Sequence, residues 1–296
     1  MDVLNGEWSS AQPEQSVTLS EGPLYYRQSG SGFPLLLLHG WGASSLYWYD
    51  TLQTLSNVYC CYAPDMPGSG VTPAMNEVAS AEHLADLVIA FADALHIPQF
   101  DLNGHSFGGA VAVYIATRYP ERVRHLVLTS FGAFCTELEW AMMTQFYHMT
   151  TMVLSTWKPC LMAWRPCFKV WQRWLAQVGC EASLYDVARP FFVELPTDDA
   201  LLCAGYSDFV CTDYPTLLES SLSLANPSLR ESLSNIAVPA LLVGGRQDRM
   251  ILPSRIEETA QLIPRRRLAW IDQCGHLPMI ERPTEYHQIL RDFLVV

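Results

Sequence analysis

Short apolar runs alternating with amphipathic stretches predict an α/β protein, with a mostly parallel central sheet flanked by helices. Three features point there. Runs of four to six apolar residues recur along both ends of the chain, the segments between them carry a helical period, and the alternation stops in the middle. Residues 1–133 and 226–296 therefore read as one discontinuous core, and residues 134–225 as an inserted helical cap, or lid.

Taken in order, residues 1–20 are polar and read as a loose lead-in. Pro23–Gln28 reads as a strand ended by a turn at Gly30-Ser31-Gly32. Pro34–Leu38 is continuously apolar, as a strand must be when helices cover both its faces. Similar runs follow at Val58–Tyr62, Phe100–Asn103, His125–Thr129, Pro239–Val243 and Arg267–Ile271. Between them helices are predicted over Ser80–Leu95, Phe107–Tyr119, Pro253–Ile263 and Pro283–Leu294. Leu84, Leu87, Val88, Phe91 and Leu95 keep the helical spacing, and Ser80 is suited to cap the first of these helices.

The insertion differs in composition. It holds Trp140, Trp157, Trp164, Trp171 and Trp174, five of the nine tryptophans, and half of the ten methionines (Met142, Met143, Met149, Met152 and Met162). A short repeat runs through it: Trp157-Lys-Pro-Cys, Trp164-Arg-Pro-Cys, then Trp171. Seven residues is nearly two helical turns, so these indoles would share a face. Pro159 and Pro166 would break a straight helix, which predicts kinks or two short helices. Lys158, Arg165, Lys169 and Arg173 make the segment basic, and Lys158 and Lys169 are the only lysines in the chain.

The 296 residues are half hydrophobic and 16% charged, which excludes disordered and fibrous classes. The net charge of −12 repels phosphate backbones, so no nucleic-acid partner is expected. No apolar run approaches the roughly 20 residues that cross a bilayer, and Met1–Glu7 shows no secretory pattern. Nine cysteines without a Cys-x-x-Cys pair read as reduced thiols, mostly core residues, in a cytoplasmic protein.

The chemistry centres on Gly104-His105-Ser106-Phe107-Gly108, a Gly-x-Ser-x-Gly motif between a strand and a helix. Small residues at both glycine positions let the chain turn sharply, which pushes Ser106 out above the sheet with a helix N-terminus behind it. Four motifs stand in one order: His39-Gly40-Trp41-Gly42, Asp65-Met66-Pro67-Gly68-Ser69-Gly70, Gly104–Gly108 and Gly275-His276. With them the chain resembles the α/β-hydrolase family, specifically lid-bearing serine hydrolases akin to carboxylesterases and C–C bond hydrolases. That likeness implies an α/β-hydrolase fold and Ser106, Asp248 and His276 as catalytic residues in the order this family uses. Asp248 and His276 each follow a strand, where open α/β sheets place their sites. Asp272 and Glu137 are rival acids, and Asp65 reads as a turn residue.

A serine nucleophile needs a base oriented by a carboxylate, and a developing oxyanion needs fixed N–H donors. One donor is expected from the backbone N–H of Phe107. The second, at Trp41, is implied by resemblance to the family's His-Gly-x-Gly loop. Trp41, Phe107 and Met250 flank catalytic positions and are expected to line the substrate pocket. The likeness also gives His39 and His105 a bracing role, while His83, His96, His125, His148 and His287 read as surface or structural. Serine at 106 excludes the aspartate-nucleophile dehalogenases and epoxide hydrolases of this fold, and the chemistry calls for no metal or cofactor.

The expected reaction is hydrolysis of an ester, thioester or related carbonyl compound with an apolar acyl or aromatic part, through an acyl-enzyme (EC 3.1). Its alternatives are C–C cleavage of a vinylogous diketone and a non-hydrolytic protein of this fold, whether lyase, cyclase, acyltransferase or accessory binding protein. The Trp- and Met-rich insertion either contacts that substrate or fills its own core. Its basic repeat has three readings: core with a basic face, a dock for an anionic partner such as a carrier-protein thioester, or a membrane-surface segment.

Overall fold

The computed structural model describes residues 15–75, 79–133, 136–178 and 180–295. Eight strands form one sheet in the order β1-β2-β4-β3-β5-β6-β7-β8. They are β1 Gln15–Leu19, β2 Gly22–Ser29, β3 Phe33–Leu38, β4 Tyr59–Pro64, β5 Phe100–His105, β6 Val123–Thr129, β7 Ala240–Gly245 and β8 Arg266–Ile271. β1 pairs antiparallel with β2, and β2 with β4, while every other neighbour pair is parallel.

Strands β3 and β7 are apolar throughout because helices cover both faces. On β3, Leu36 and Leu38 enter the core under α2 (Ala81–Ala94) and α3 (Phe107–Arg118). Leu35 and Leu37 enter the opposite core, with Trp48 and Leu52 beside them. Ser80 caps α2 by accepting from His83 N, as its position predicts. Below the sheet's carboxyl end, Asn103 Nδ2 donates to Tyr286 OH at 2.8 Å, and Thr129 Oγ1 donates to Asn103 Oδ1 at 3.0 Å. These fully buried groups satisfy one another and tie β5 and β6 to the C-terminal helix.

Two elements were not expected. Residues 15–19, read as part of a loose lead-in, form edge strand β1, whose Val17 and Leu19 pack on the core while Gln15 and Ser16 face solvent. Residues 1–14 of that lead-in lie outside the described residues. Tyr49–Leu55 forms a short helix, α1, which buries Thr51, Leu52 and Leu55.

Between β6 and β7 lie α4 Glu137–Val178, α5 Cys180–Ala188, α6 Asp199–Cys211, α7 Tyr214–Ser223 and α8 Pro227–Ser234. α4 runs through both prolines as one helix of 42 residues, not as two short ones. Each proline deletes one backbone hydrogen bond, a cost of about 3 kcal/mol or more in an isolated helix. Packing on α6 and α7 offsets it. Arg165 pairs with Asp213 at 2.8 Å, Gln172 Nε2 donates to Thr212 O at 2.6 Å, and Trp171 stacks on Tyr214 with centroids 6.1 Å apart.

The core reading of the repeat fails: Trp157 is 60% exposed, Trp164 62%, Trp171 49% and Trp174 55%. The side chains of Glu137, Trp140, Lys158, Met162 and Arg173 lie outside the described residues. Cysteine use also differs from expectation. Cys61, Cys203 and Cys274 are buried, but Cys160, Cys167 and Cys211 are exposed. Among the described residues no helix is long and apolar enough to cross a membrane.

The start of α4 is clamped to α9 (Pro253–Leu262) by Arg255, whose Nη1 and Nη2 donate to Glu139 at 2.8 and 2.6 Å. The guanidinium and Thr136 hold the Glu139 carboxyl down to about 2. A depressed carboxylate stabilises the fold above its unfolded pKa, and that share disappears as pH falls from about 4.5 towards 2. The pair is partly exposed, so its effect is small. Glu139→Gln should lower the Tm by roughly 2 °C at pH 7. By circular dichroism that gap should shrink between pH 4.5 and pH 3; a constant gap would remove the ion pair as its cause.

Candidate active site

Ser106 sits between β5 and α3 with φ 51° and ψ −116°, a left-handed conformation that non-glycine residues rarely adopt. The turn is possible only because glycines flank it. A Cβ on Gly104 would collide with the Gly108 carbonyl, and one on Gly108 would lie 2.5 Å from the carbonyl oxygens of Leu38 and His39. Ser106 N donates to Thr129 O at 2.9 Å, which fixes the turn to β6.

His276 follows β8 and Asp248 follows β7. His276 Nδ1 lies 2.8 Å from Asp248 Oδ2, with both side chains buried. Asp248 Oδ1 accepts from the N–H groups of Met250 and Ile251 at 2.8 and 3.0 Å, so the carboxylate is held from both oxygens. The two loops are joined: Gln247 N donates to Cys274 O at 3.0 Å, and Cys274 N donates to Gln247 Oε1 at 3.2 Å. Glu281 reaches across, accepting from Gly275 N at 2.7 Å and Val193 N at 2.8 Å. Burial pushes its carboxyl up, against those hydrogen bonds.

Of the rival acids, Asp272 points outward onto Arg246 at 2.9 Å and is 81% exposed. The side chain of Glu137 is outside the described residues. Asp65 accepts from Ser45 N at 2.8 Å and Val71 N at 3.1 Å, in keeping with a turn residue.

The loop after β3 is braced by His39, whose Nδ1 donates to Gly40 O at 2.8 Å and whose Nε2 accepts from Met66 N at 2.9 Å. His105 donates from Nε2 to His276 O at 2.9 Å, while its buried Nδ1 has no hydrogen-bond partner. Burial, then the neighbouring His276, lowers its pKa well below the usual imidazole range and keeps it neutral. His287 is buried against Thr51 Oγ1 at 2.9 Å, and burial and Arg291 push it down to about 4.

Ser106, His276, Trp41 and Met250 line one cavity of about 130 Å³, and Asp248 stands behind His276. The Phe107 side chain does not line it. It is buried in the core under the sheet, because α3 turns its first side chain inward. Phe107 can offer the site only its backbone N–H, at the first position of α3, where no earlier helical carbonyl competes for it.

The far wall comes from the helices after β6: Leu184 and Ala188 of α5, Phe191, and Leu201, Tyr206 and Phe209 of α6. None of these was singled out from the sequence, since apolar residues on an inserted helix look like its core. Among the described side chains, Trp157, Trp164, Trp171 and Trp174 of α4 do not line the cavity. Trp41 joins the two parts of the chain, as its Nε1 donates to Leu217 O at 2.8 Å and its ring lies edge-on to Phe209, centroids 5.6 Å apart.

The chain is similar to known proteins over most of its length. The chain is 27% identical over 283 residues to pyrrolizixenacetamide deacetylase of Xenorhabdus hominickii, covering 94% of this chain and 97% of that protein. It is 28% identical over 272 residues to pimeloyl-[acyl-carrier protein] methyl ester esterase of Aeromonas hydrophila, covering 90% and 96%. It is 29% identical over 281 residues to 2-hydroxymuconate semialdehyde hydrolase of Pseudomonas sp. strain CF600, covering 90% and 88%. The model of the alpha/beta hydrolase family matches residues 35–289, and the chain belongs to that family.

Proposed function

We propose that this protein is a serine hydrolase that cleaves an ester, thioester or related carbonyl compound with an apolar acyl or aromatic part. The observation that carries the reading is the buried His276–Asp248 pair at 2.8 Å, in a cavity shared with a serine held at positive φ. Residues 1–133 and 226–296 serve as the hydrolase core, and 134–225 as the cap over it.

In this reaction Asp248 fixes the His276 tautomer with the proton on Nδ1, which leaves Nε2 to take the proton of Ser106. The Ser106 oxygen bonds to the carbonyl carbon, and the resulting oxyanion rests on the N–H groups of Trp41 and Phe107. Collapse of the tetrahedral intermediate breaks the carbonyl–oxygen bond, and the alcohol leaves with the proton from His276. Water, deprotonated by the same histidine, then releases the acid and restores Ser106. The apolar wall favours an apolar acyl group, with Trp41 and Met250 beside the serine. The substrate is a small molecule, free or carried on a protein as in the Aeromonas relative's name. A second reading, C–C cleavage of a vinylogous diketone, is supported by the 29% identical hydroxymuconate semialdehyde hydrolase.

Treatment with a fluorophosphonate probe should add one adduct to the parent and none to Ser106→Ala, as read by intact mass. A folded parent without an adduct would sink the proposal. On short p-nitrophenyl esters Asp248→Asn should lower kcat by roughly 10³–10⁴, through the wrong histidine tautomer; a loss below tenfold would move the acid elsewhere. Gly40→Ala places a methyl 2.8 Å from His105 Nδ1 and 3.3 Å from Ser106 Cβ. It should cut kcat/KM at least roughly tenfold with a Tm close to the parent's, because the oxyanion loop must shift.

A further inference from the structure

Eleven of the twenty exposed large apolar side chains among the described residues belong to one helix, α4. At 3.6 residues per turn, Met142, Phe146, Met149, Trp157, Trp164 and Trp174 fall within an arc of about 100°. The side that holds Arg165, Phe168 and Gln172 packs on α6 and α7, and the apolar arc lies beside it, about 100° round the helix, with these six side chains 45–62% exposed. From Met142 to Trp174 the arc is about 48 Å long. An exposed apolar surface of that extent marks an interaction site.

Charge narrows the occupant. Residues 140–178 contain no Asp or Glu, although the whole chain has 30, and they carry Lys158, Arg165, Lys169 and Arg173. A second copy docked α4 against α4 would bring these cations together with no carboxylate from the segment to neutralise them. An acidic protein would be read mainly by cations, yet Arg165 is turned inward onto Asp213 and the Met75 carbonyl. Indoles and thioethers dominate the face, and exposed Lys169 stands on the opposite, polar side of the helix. That composition suits the boundary between acyl chains and anionic headgroups.

A groove lies between this helix and the cavity of the nucleophile. Phe168 and Trp171 of α4 and Tyr214 and Leu218 of α7 line an apolar space of about 530 Å³. Trp41 and Phe209 line it too, and the same two residues line the Ser106 cavity. An acyl chain leaving a lipid layer at α4 would therefore meet apolar surface as far as Trp41 and Phe209, the wall that this groove shares with the serine cavity.

We propose that the exposed apolar face of α4 docks the protein on an anionic lipid surface, and that the groove between α4 and α7 receives the acyl chain of a lipid ester from it. The docking rests on the face and its charge alone; the fate of the chain rests on the serine hydrolase reading above.

The test is co-sedimentation with vesicles of phosphatidylcholine, with and without phosphatidylglycerol, for the parent and for Trp157→Ser combined with Trp164→Ser. Hydrolysis of p-nitrophenyl butyrate and release of fatty acid from the phosphatidylglycerol vesicles are read alongside. Both changes lie on exposed positions outside the cavity, so short-ester hydrolysis reports that the variant is folded. The parent should pellet with the anionic vesicles, and the variant should partition at least roughly tenfold less while hydrolysing the short ester equally. Fatty-acid release should fall with binding. A parent that stays in the supernatant, or a variant that pellets like the parent, overturns the proposal. So does a parent that is dimeric and binds no vesicle beside a monomeric variant, because the face would then be taken by a second copy. If the parent pellets but cleaves no ester at all, the docking face stands and the hydrolase reading falls.

Discussion

Everything at the candidate site depends on one backbone conformation, the positive φ of Ser106. A residue held there costs about 1–3 kcal/mol, which the surroundings must offset. They do so by leaving no alternative. Gly104 and Gly108 approach within distances that exclude a Cβ, and Ser106 N is committed to the Thr129 carbonyl. The fully buried β5 on one side and the buried face of α3 on the other cannot move without emptying the core. Strain of this kind keeps the serine hydroxyl at the carboxyl end of the sheet whether or not substrate is present, so orientation is prepaid in folding.

The histidine and its acid are held by a different device. Neither lies in regular structure, and both loops follow strands at the sheet's edge side, β7 and β8. The paired hydrogen bonds between Gln247 and Cys274 make the two loops one unit, and close approach of Gly245 to the Gly275 carbonyl requires glycine at 245. Glu281 then fastens that unit to Val193 in the segment between α5 and α6. A half-buried carboxylate raised by desolvation is an expensive fastener. Together with the direct bond from His276 N to Phe191 O at 2.8 Å, it couples the position of His276 to the segment forming the far wall, so a movement of that wall is felt at the histidine.

How much of this was legible in the sequence follows from burial. Strands covered on both faces, such as Pro34–Leu38, are apolar at every position and announce themselves. Edge strand β1 has one packed face and only two apolar anchors, Val17 and Leu19, so its polar residues hid it. The motifs around Ser106 and His276 were readable because glycine is demanded there by backbone approach, which no other residue tolerates. Pro159 and Pro166 misled because the compensation lies far along the chain, in Asp213, Thr212 and Tyr214. Pocket-lining Leu201 and Phe209 gave no signal at all, since a side chain facing a cavity and one facing a core have the same composition.

Trp41 is the residue where the separate constraints meet. Its backbone follows β3 into the loop braced by His39, its indole N–H is bound to the Leu217 carbonyl of α7, and its ring is packed on Phe209 of α6. The ring also forms a wall common to the Ser106 cavity and to the larger groove beside α4. An occupant of that groove would press on a side chain whose own backbone, in the proposed reaction, offers an oxyanion donor. Because the indole is anchored by a hydrogen bond to α7, such pressure is shared between ring, helix and loop, not absorbed by rotation of a free side chain. In the proposed reaction this would make chain-length selectivity and oxyanion stabilisation properties of one residue: a chain that fills the groove would hold the loop in place, and one that stops short would leave it to the hydrogen bond alone.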